Sequence, residues 1–160
     1  MSTHHRSFLL ASVLTAVLLV SVSAVVQAQN AGSPAASRWS DPATWPDKKV
    51  PAKDDVVTIE KDMNVILDVS PPPLHGITLN GTLSFADNKD LELTTEWIMV
   101  HGALEIGTEA KPHTRKATIT FTDNVKGEDF GGMGGNDRSD RGIMIMGGTL
   151  SLHGDRTNSW

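Results

Sequence analysis

The chain has 160 residues, a formal net charge of −5 and no cysteine. That length accommodates one domain, and the missing cysteines exclude a fold stapled by disulfides. No Lys/Arg stripe runs along it, which with the acidic balance excludes nucleic acid as a partner.

Residues 1–28 read as a secretory signal. Met1 to Ser7 is short and carries Arg6 with two histidines, and Phe8 to Val26 is apolar and uncharged. Val26-Gln27-Ala28 has the small-residue pattern of a cleavage site, so cleavage is expected after Ala28. The alternative is an uncleaved anchor. The 19 residues from Phe8 to Val26 just reach bilayer length, and Ser12, Thr15, Ser21 and Ser23 weaken them as a span. On either reading the remainder is exported: secreted, extracellular or at the cell surface, or periplasmic in a bacterium. A membrane enters only through an uncleaved signal.

Residues 29–37 are small and polar and read as a flexible linker before a domain spanning 38–160. Arg38 to Pro51 holds Trp39 and Trp45 among three prolines, which exclude a long helix or a central strand. Val57/Ile59 and then Val65/Leu67/Val69 alternate, predicting two strands. Ser70-Pro71-Pro72-Pro73 continues in extended form. Asp87 to Glu96 stays open between a short helix and a strand, since Leu91-Glu92-Leu93 alternates.

A repeat occupies 74–154. Ile77/Leu79, Ile98/Val100, Ile119/Phe121 and Ile143/Ile145 share an apolar, any, apolar pattern, with steps of 21, 21 and 24 residues (77 to 98 to 119 to 143). A second strand follows in three units, at Leu83/Phe85, Leu104/Ile106 and Leu150/Leu152, after a turn holding Gly81, Gly102 or Gly148. Each unit is one pleated strand pair that cannot bury its own apolar row and must stack on its neighbours. A leucine-rich repeat lacks its signature here. A β-sandwich, for which Asn80-Gly81 is a hairpin signal, does not predict superposable units of this period. The expected fold is all-β: a right-handed parallel β-helix, a pectin-lyase-like solenoid, of about five or six short coils. The last coil, Ile143 to Leu152, has an open end. Met144, Met146 and Trp160 are candidates to cover it, and without a cover self-association is expected there.

Between the apolar residues lie outward rows, Thr78, Met99, Thr120 and Met144, then Ser84, Glu105 and Ser151. A glycosidase or lyase needs carboxylates converging on such a face, and the rows offer one glutamate. No enzymatic activity is therefore expected. His75, His101 and His153 each precede a glycine but do not share a repeat position, and no zinc is expected. Asn80-Gly81-Thr82 is a formal glycosylation sequon that doubles as turn chemistry.

Two insertions interrupt the repeat, at 108–116 and 123–141. The first holds the only basic cluster, Lys111 to Lys116, a local patch that could meet an acidic polysaccharide, although the net negative charge speaks against that partner. The second partly resembles one copy of a calcium-binding nonapeptide at Phe130 to Asp137. Its Asp129, Asp137, Arg138, Asp140 and Arg141 admit three readings: ion pairs within the loop, contact with a polyol or glycan, and calcium. No other cofactor is expected. Trp39 and Trp45 either cap the first coil or stack on sugar rings.

These stretches together resemble an extracellular module, the G-eight domain, named for its eight glycines. It occurs in fibrocystin-like proteins, in a cell-surface hyaluronidase family and in bacterial secreted proteins. The resemblance runs through Trp39 to Pro46, Val56 to Ile59, Ile77 to Phe85, Ile98 to Glu109, Pro112, Ala117 to Ile119 and Gly147 to Gly154. It implies a β-rich extracellular fold of repeated strand pairs, with ligand binding or carbohydrate processing at a cell surface. Family members continue past the position of Trp160, so the chain is expected to be a lone module or a truncated reading frame. No catalytic residue carries over. The first expectation is an exported, non-catalytic module that binds a glycan or an extracellular protein ligand. The alternatives are the amino-terminal part of a polysaccharide-processing enzyme and a structural spacer.

Overall fold

The computed structural model describes residues 35–122 and 141–158. Signal residues 1–28 and Ala28 lie outside them, as do Asp129, Asp137, Arg138, Asp140 and Trp160. The strands are β1 (Ala36–Arg38), β2 (Val56–Ile59), β3 (Asn64–Leu67), β4 (Gly76–Leu79), β5 (Thr82–Phe85), β6 (Leu91–Thr95), β7 (Trp97–Val100), β8 (Ala103–Ile106), β9 (Ala117–Phe121), β10 (Gly142–Ile145) and β11 (Thr149–Leu152). Two short 3-10 turns, Pro42–Thr44 and Arg156–Asn158, are the only helical pieces among the described residues. The domain is all-β. Ala36 and Ser37, expected in the linker, already belong to β1, which pairs with β3.

All pairing between strands is parallel. The first sheet runs β2-β4-β7-β10, the second β1-β3-β5-β8-β11, and the third contains β6 and β9. Parallel neighbours stack like on like. Val57, Ile77, Ile98 and Ile143 form one file across the first sheet, and Ile59, Leu79, Val100 and Ile145 form another. Val65, Leu83, Leu104 and Leu150 line up across the second sheet. The central members of these files are fully buried, and with Leu91 and Leu93 from β6 they make one core. β2, β3 and β5 alternate residue by residue between this core and the outer face, as a pleated backbone requires.

The two strands of a repeat unit do not pair with each other. β4 lies in the first sheet and β5 in the second, so Asn80-Gly81 is a corner between sheets, not a hairpin. The corners themselves stack. A Cβ on Gly102 would overlap the Gly81 carbonyl oxygen, and one on Gly148 would press on the Gly102 carbonyl oxygen. The amide of Ala103 donates to Gly81 O and that of Thr149 to Gly102 O, which draws these corners together.

Ile119 requires a correction. It does not continue the file of Ile77, Ile98 and Ile143; it pairs with Leu93 in the third sheet. The step from 98 to 119 therefore crosses sheets, and the true neighbour of Ile98 is Ile143. The first sheet has four strands and the second five. The open segment at 87–96 resolves as strand β6.

The third sheet is short at its lower side because Pro71, Pro72 and Pro73 lie there. Proline has no N–H for a ladder. Only Leu74, just past the prolines, donates to Thr94 O, and Ser70 Oγ accepts from the Glu92 amide. At the β1 side, Trp39 and Trp45 are 0% and 5% exposed and join the core. Their rings meet edge to face at 4.9 Å, and Trp45 Nε1 donates to Trp39 O at 2.9 Å. The opposite side is less covered: Met146, a candidate cover, is 57% exposed.

Candidate functional site

Among the described residues, the insertion between β8 and β9 is tied down by segments from both sides. It leaves the second sheet at Gly107, whose φ of +69° suits glycine. A side chain there would also overlap His153 O and the His113 amide. Thr108 and Lys111 then exchange backbone hydrogen bonds at 2.9 and 3.2 Å, closing a turn. His113 donates its amide to His153 O at 2.7 Å and accepts from the Asp155 amide at 2.9 Å. The insertion is thus tied to the segment that follows β11.

Asp87, between β5 and β6, holds the insertion from the other side. Its Oδ1 accepts from the amides of Thr114 (2.8 Å) and Arg115 (2.9 Å), and the Thr114 hydroxyl reaches both carboxylate oxygens at 3.0 Å. Desolvation alone would raise the Asp87 pKa. The Thr114 and Arg115 donors outweigh it, with help from the His113 charge, and hold the carboxyl below its ordinary value. His113 Nδ1 lies 3.6 Å from Asp87 Oδ1, and its side chain is 3% exposed. Asp90 accepts from the Lys116 amide at 3.1 Å, continuing the anchoring.

The anchored insertion separates two open grooves. One, about 480 Å³, crosses the outer face of the second sheet beside Arg38, Ser84, Glu105 and Lys111. There Ser84, Glu105 and Ser151 stand in register, the expected outward row. The other is a cleft of about 1140 Å³ beside β9, lined among others by Asp90, Arg115, Lys116, Thr118, Asp155 and Arg156. Asp155 lies below its ordinary pKa because the hydroxyl and amide of Thr157 donate to it, at 2.6 and 2.9 Å. His113 borders both grooves. The cleft lining mixes cations, anions and hydroxyls with the apolar Ala117 and Ile119, a set of groups that can meet a polyhydroxylated ligand.

The candidate residues fare differently. Trp39 and Trp45 are core residues, which corrects their reading as sugar platforms: a buried indole has no free face to offer. Arg141 is half-buried immediately before β10. Thr120 leaves the row of Thr78, Met99 and Met144, sits in the third sheet and donates to Glu92 Oε1 at 2.7 Å. His75 lies against Glu96 (3.5 Å) and Trp97, away from the insertion. Among the described residues no three His, Cys, Asp or Glu side chains gather as a metal site, and no helix is long and apolar enough to cross a membrane. The basic run from Lys111 to Lys116 pointed to the insertion. Nothing in the sequence singled out Asp87, Asp90 or Asp155, which reach it from 26 to 42 residues away.

A family model described as the G8 domain matches residues 44–160. The chain is 31% identical to human (Homo sapiens) Fibrocystin-L over 118 residues and 34% identical to mouse (Mus musculus) Fibrocystin over 120 residues. These alignments cover 72% and 73% of this chain but 3% of each relative, so the chain spans a small part of their length. No solved structure matches it. The family match covers most of the chain and begins at Thr44, just before the second core tryptophan: this chain belongs to the G8 domain family.

Proposed function

We propose that the chain is an exported, non-catalytic extracellular module, a right-handed parallel β-helix that binds a glycan through the cleft beside β9. The coil reading is supported by the strand order, in which successive strands enter different sheets and pair only with strands of neighbouring windings. The right hand is the one that parallel crossovers adopt. The observation that carries the binding role is the cleft of about 1140 Å³, whose lining mixes Arg115, Lys116 and Arg156 with Asp90, Asp155 and Thr118.

Pocket chemistry favours binding over hydrolysis. A general acid for glycosyl transfer needs a carboxyl with a raised pKa. Of the carboxylates that line the cleft, Asp155 is shifted the other way, and Asp90 is occupied with the Lys116 amide. The test is an array of neutral, uronate-bearing and sulfated oligosaccharides, followed by titration calorimetry on any hit. Binding that drops at least ~10-fold in Arg115→Ala with Lys116→Ala, at unchanged melting temperature, is the expected result. Silence across the array favours the spacer reading instead, and binding indifferent to both substitutions overturns the assignment to this cleft.

A further inference from the structure

We propose that Asn80 is an acceptor for an N-linked glycan; the inference rests on the export reading above. Asn80-Gly81-Thr82 is the one Asn-x-Ser/Thr sequence in the chain, and it falls on the corner between β4 and β5. The corner requires Gly81, since a Cβ there would overlap the carbonyl oxygens of Glu60 and Met63. It does not require Asn80. Asparagine serves a turn by taking a positive φ or by bonding the backbone through its side chain. Among the described residues other than glycine, only Lys48 and Asp54 have a positive φ. No hydrogen bond among those residues engages the Asn80 carboxamide. The next corner is built the same way around a different side chain. The amides of Asn80 and Gly81 donate to Ile59 O at 2.8 and 3.0 Å, and those of His101 and Gly102 donate to Leu79 O at 2.9 and 2.8 Å.

The carboxamide is thus unused by the fold, and it is accessible. Asn80 and Thr82 are half-buried as whole residues. Neither the Asn80 amide nor the Thr82 hydroxyl has a partner among the described residues, and neither is shut away from solvent. The windings on either side present exposed residues at this flank, Glu60, Lys61 and Asp62 on one and His101 on the other, which leaves room for a bulky polar substituent. The openness is set within the stack and not at its ends: β4 lies between β2 and β7, and β5 between β3 and β8. The donor is a lipid-linked oligosaccharide. Nδ2 of Asn80 bonds to the anomeric carbon of its first sugar, the lipid pyrophosphate leaves with the electron pair of the broken C–O bond, and the amide proton passes to a base of the transferase. The Thr82 hydroxyl is the second group that such an enzyme reads.

The experiment expresses the full chain in a eukaryotic secretory host and weighs the protein recovered from the medium by intact mass spectrometry. One glycan increment per chain is expected, placed on Asn80 by peptide mapping. Peptide N-glycosidase should remove it and leave a carboxylic acid at that residue. Asn80→His and Thr82→Ala introduce the side chains that the next winding carries at His101 and Ala103. Both variants should therefore lose the increment while keeping the melting temperature of the enzymatically stripped protein. A secreted chain without the increment overturns the proposal, as does an increment that survives in both variants. A glycosylated chain that melts well below the stripped one shows that the corner has no room for the sugar, and overturns it too. The export reading fails separately. Secretion without the increment sinks the acceptor site alone, whereas a chain held in the cell with residues 1–28 attached and no increment sinks the export reading and the site together.

Discussion

Asp68 and Asp87 do the same work at different places: each carboxylate collects donors from a segment far along the chain. Asp68 accepts from the Ser40 amide at 3.0 Å and the Ser40 hydroxyl at 2.7 Å, with Arg38 at 3.5 Å. Burial would raise its pKa, but the Ser40 and Arg38 donors prevail and hold it below the ordinary value. Asp87 is lowered in the same direction. The unfolded chain therefore binds more protons, so the stability these groups confer is present above about pH 4 and is lost as pH falls through their folded values. Asp68→Asn is expected to cost about 1–3 kcal/mol at pH 7 and to flatten the acid limb of a denaturation-versus-pH series. Gly107→Ala should cost more than about 1 kcal/mol in urea unfolding, because a positive φ and a filled space act together. The sequence marks neither carboxylate, since a lone aspartate in a loop looks like solvated surface. Its partners lie 27 or 28 residues away, and only the folded path brings them together.

The strands were largely legible from alternation. β2, β3, β4, β5, β7, β8, β10 and β11 fall where apolar residues recur every second position, and the glycine corners lie between them. What alternation lacks is sheet identity. Ile119-Thr120-Phe121 has the same pattern as Ile98-Met99-Val100, yet the first pairs with β6 and the second with β4. Only Glu96 separates β6 from β7, so the corner between the third sheet and the first left no turn signal. The files make a graded prediction. Leu104→Ala, in the buried middle of the second sheet, is expected to cost about 2–5 kcal/mol. Leu152→Ala, half-exposed on the last strand, should cost clearly less than about 2 kcal/mol, because fewer atoms pack around it. Equal losses in urea titrations would count against the ordering of the files.

At the scale of the whole molecule, the domain is asymmetric along its stack. Two tryptophans are buried at the β1 side, and half-exposed aliphatics lie at the β9, β10 and β11 side. Amide exchange should follow this gradient, slowest in β4, β5, β7 and β8 and faster in β10 and β11, since local opening is easiest where the fewest apolar contacts are broken. Uniform protection along the stack would contradict it. The amino-acid sequence by itself determined that the domain is β-rich, which residues point inward, where glycine must turn the chain and to which family it belongs. These follow from period-two alternation and from short motifs, both of which are local. The tertiary structure decided which strands share a sheet, that Trp39 and Trp45 are core, and that Asp87 and Asp90 anchor the basic insertion beside the cleft. Parallel pairing joins residues about twenty to forty-five positions apart, and a strand's own pattern does not encode how far the chain travels before returning to its side.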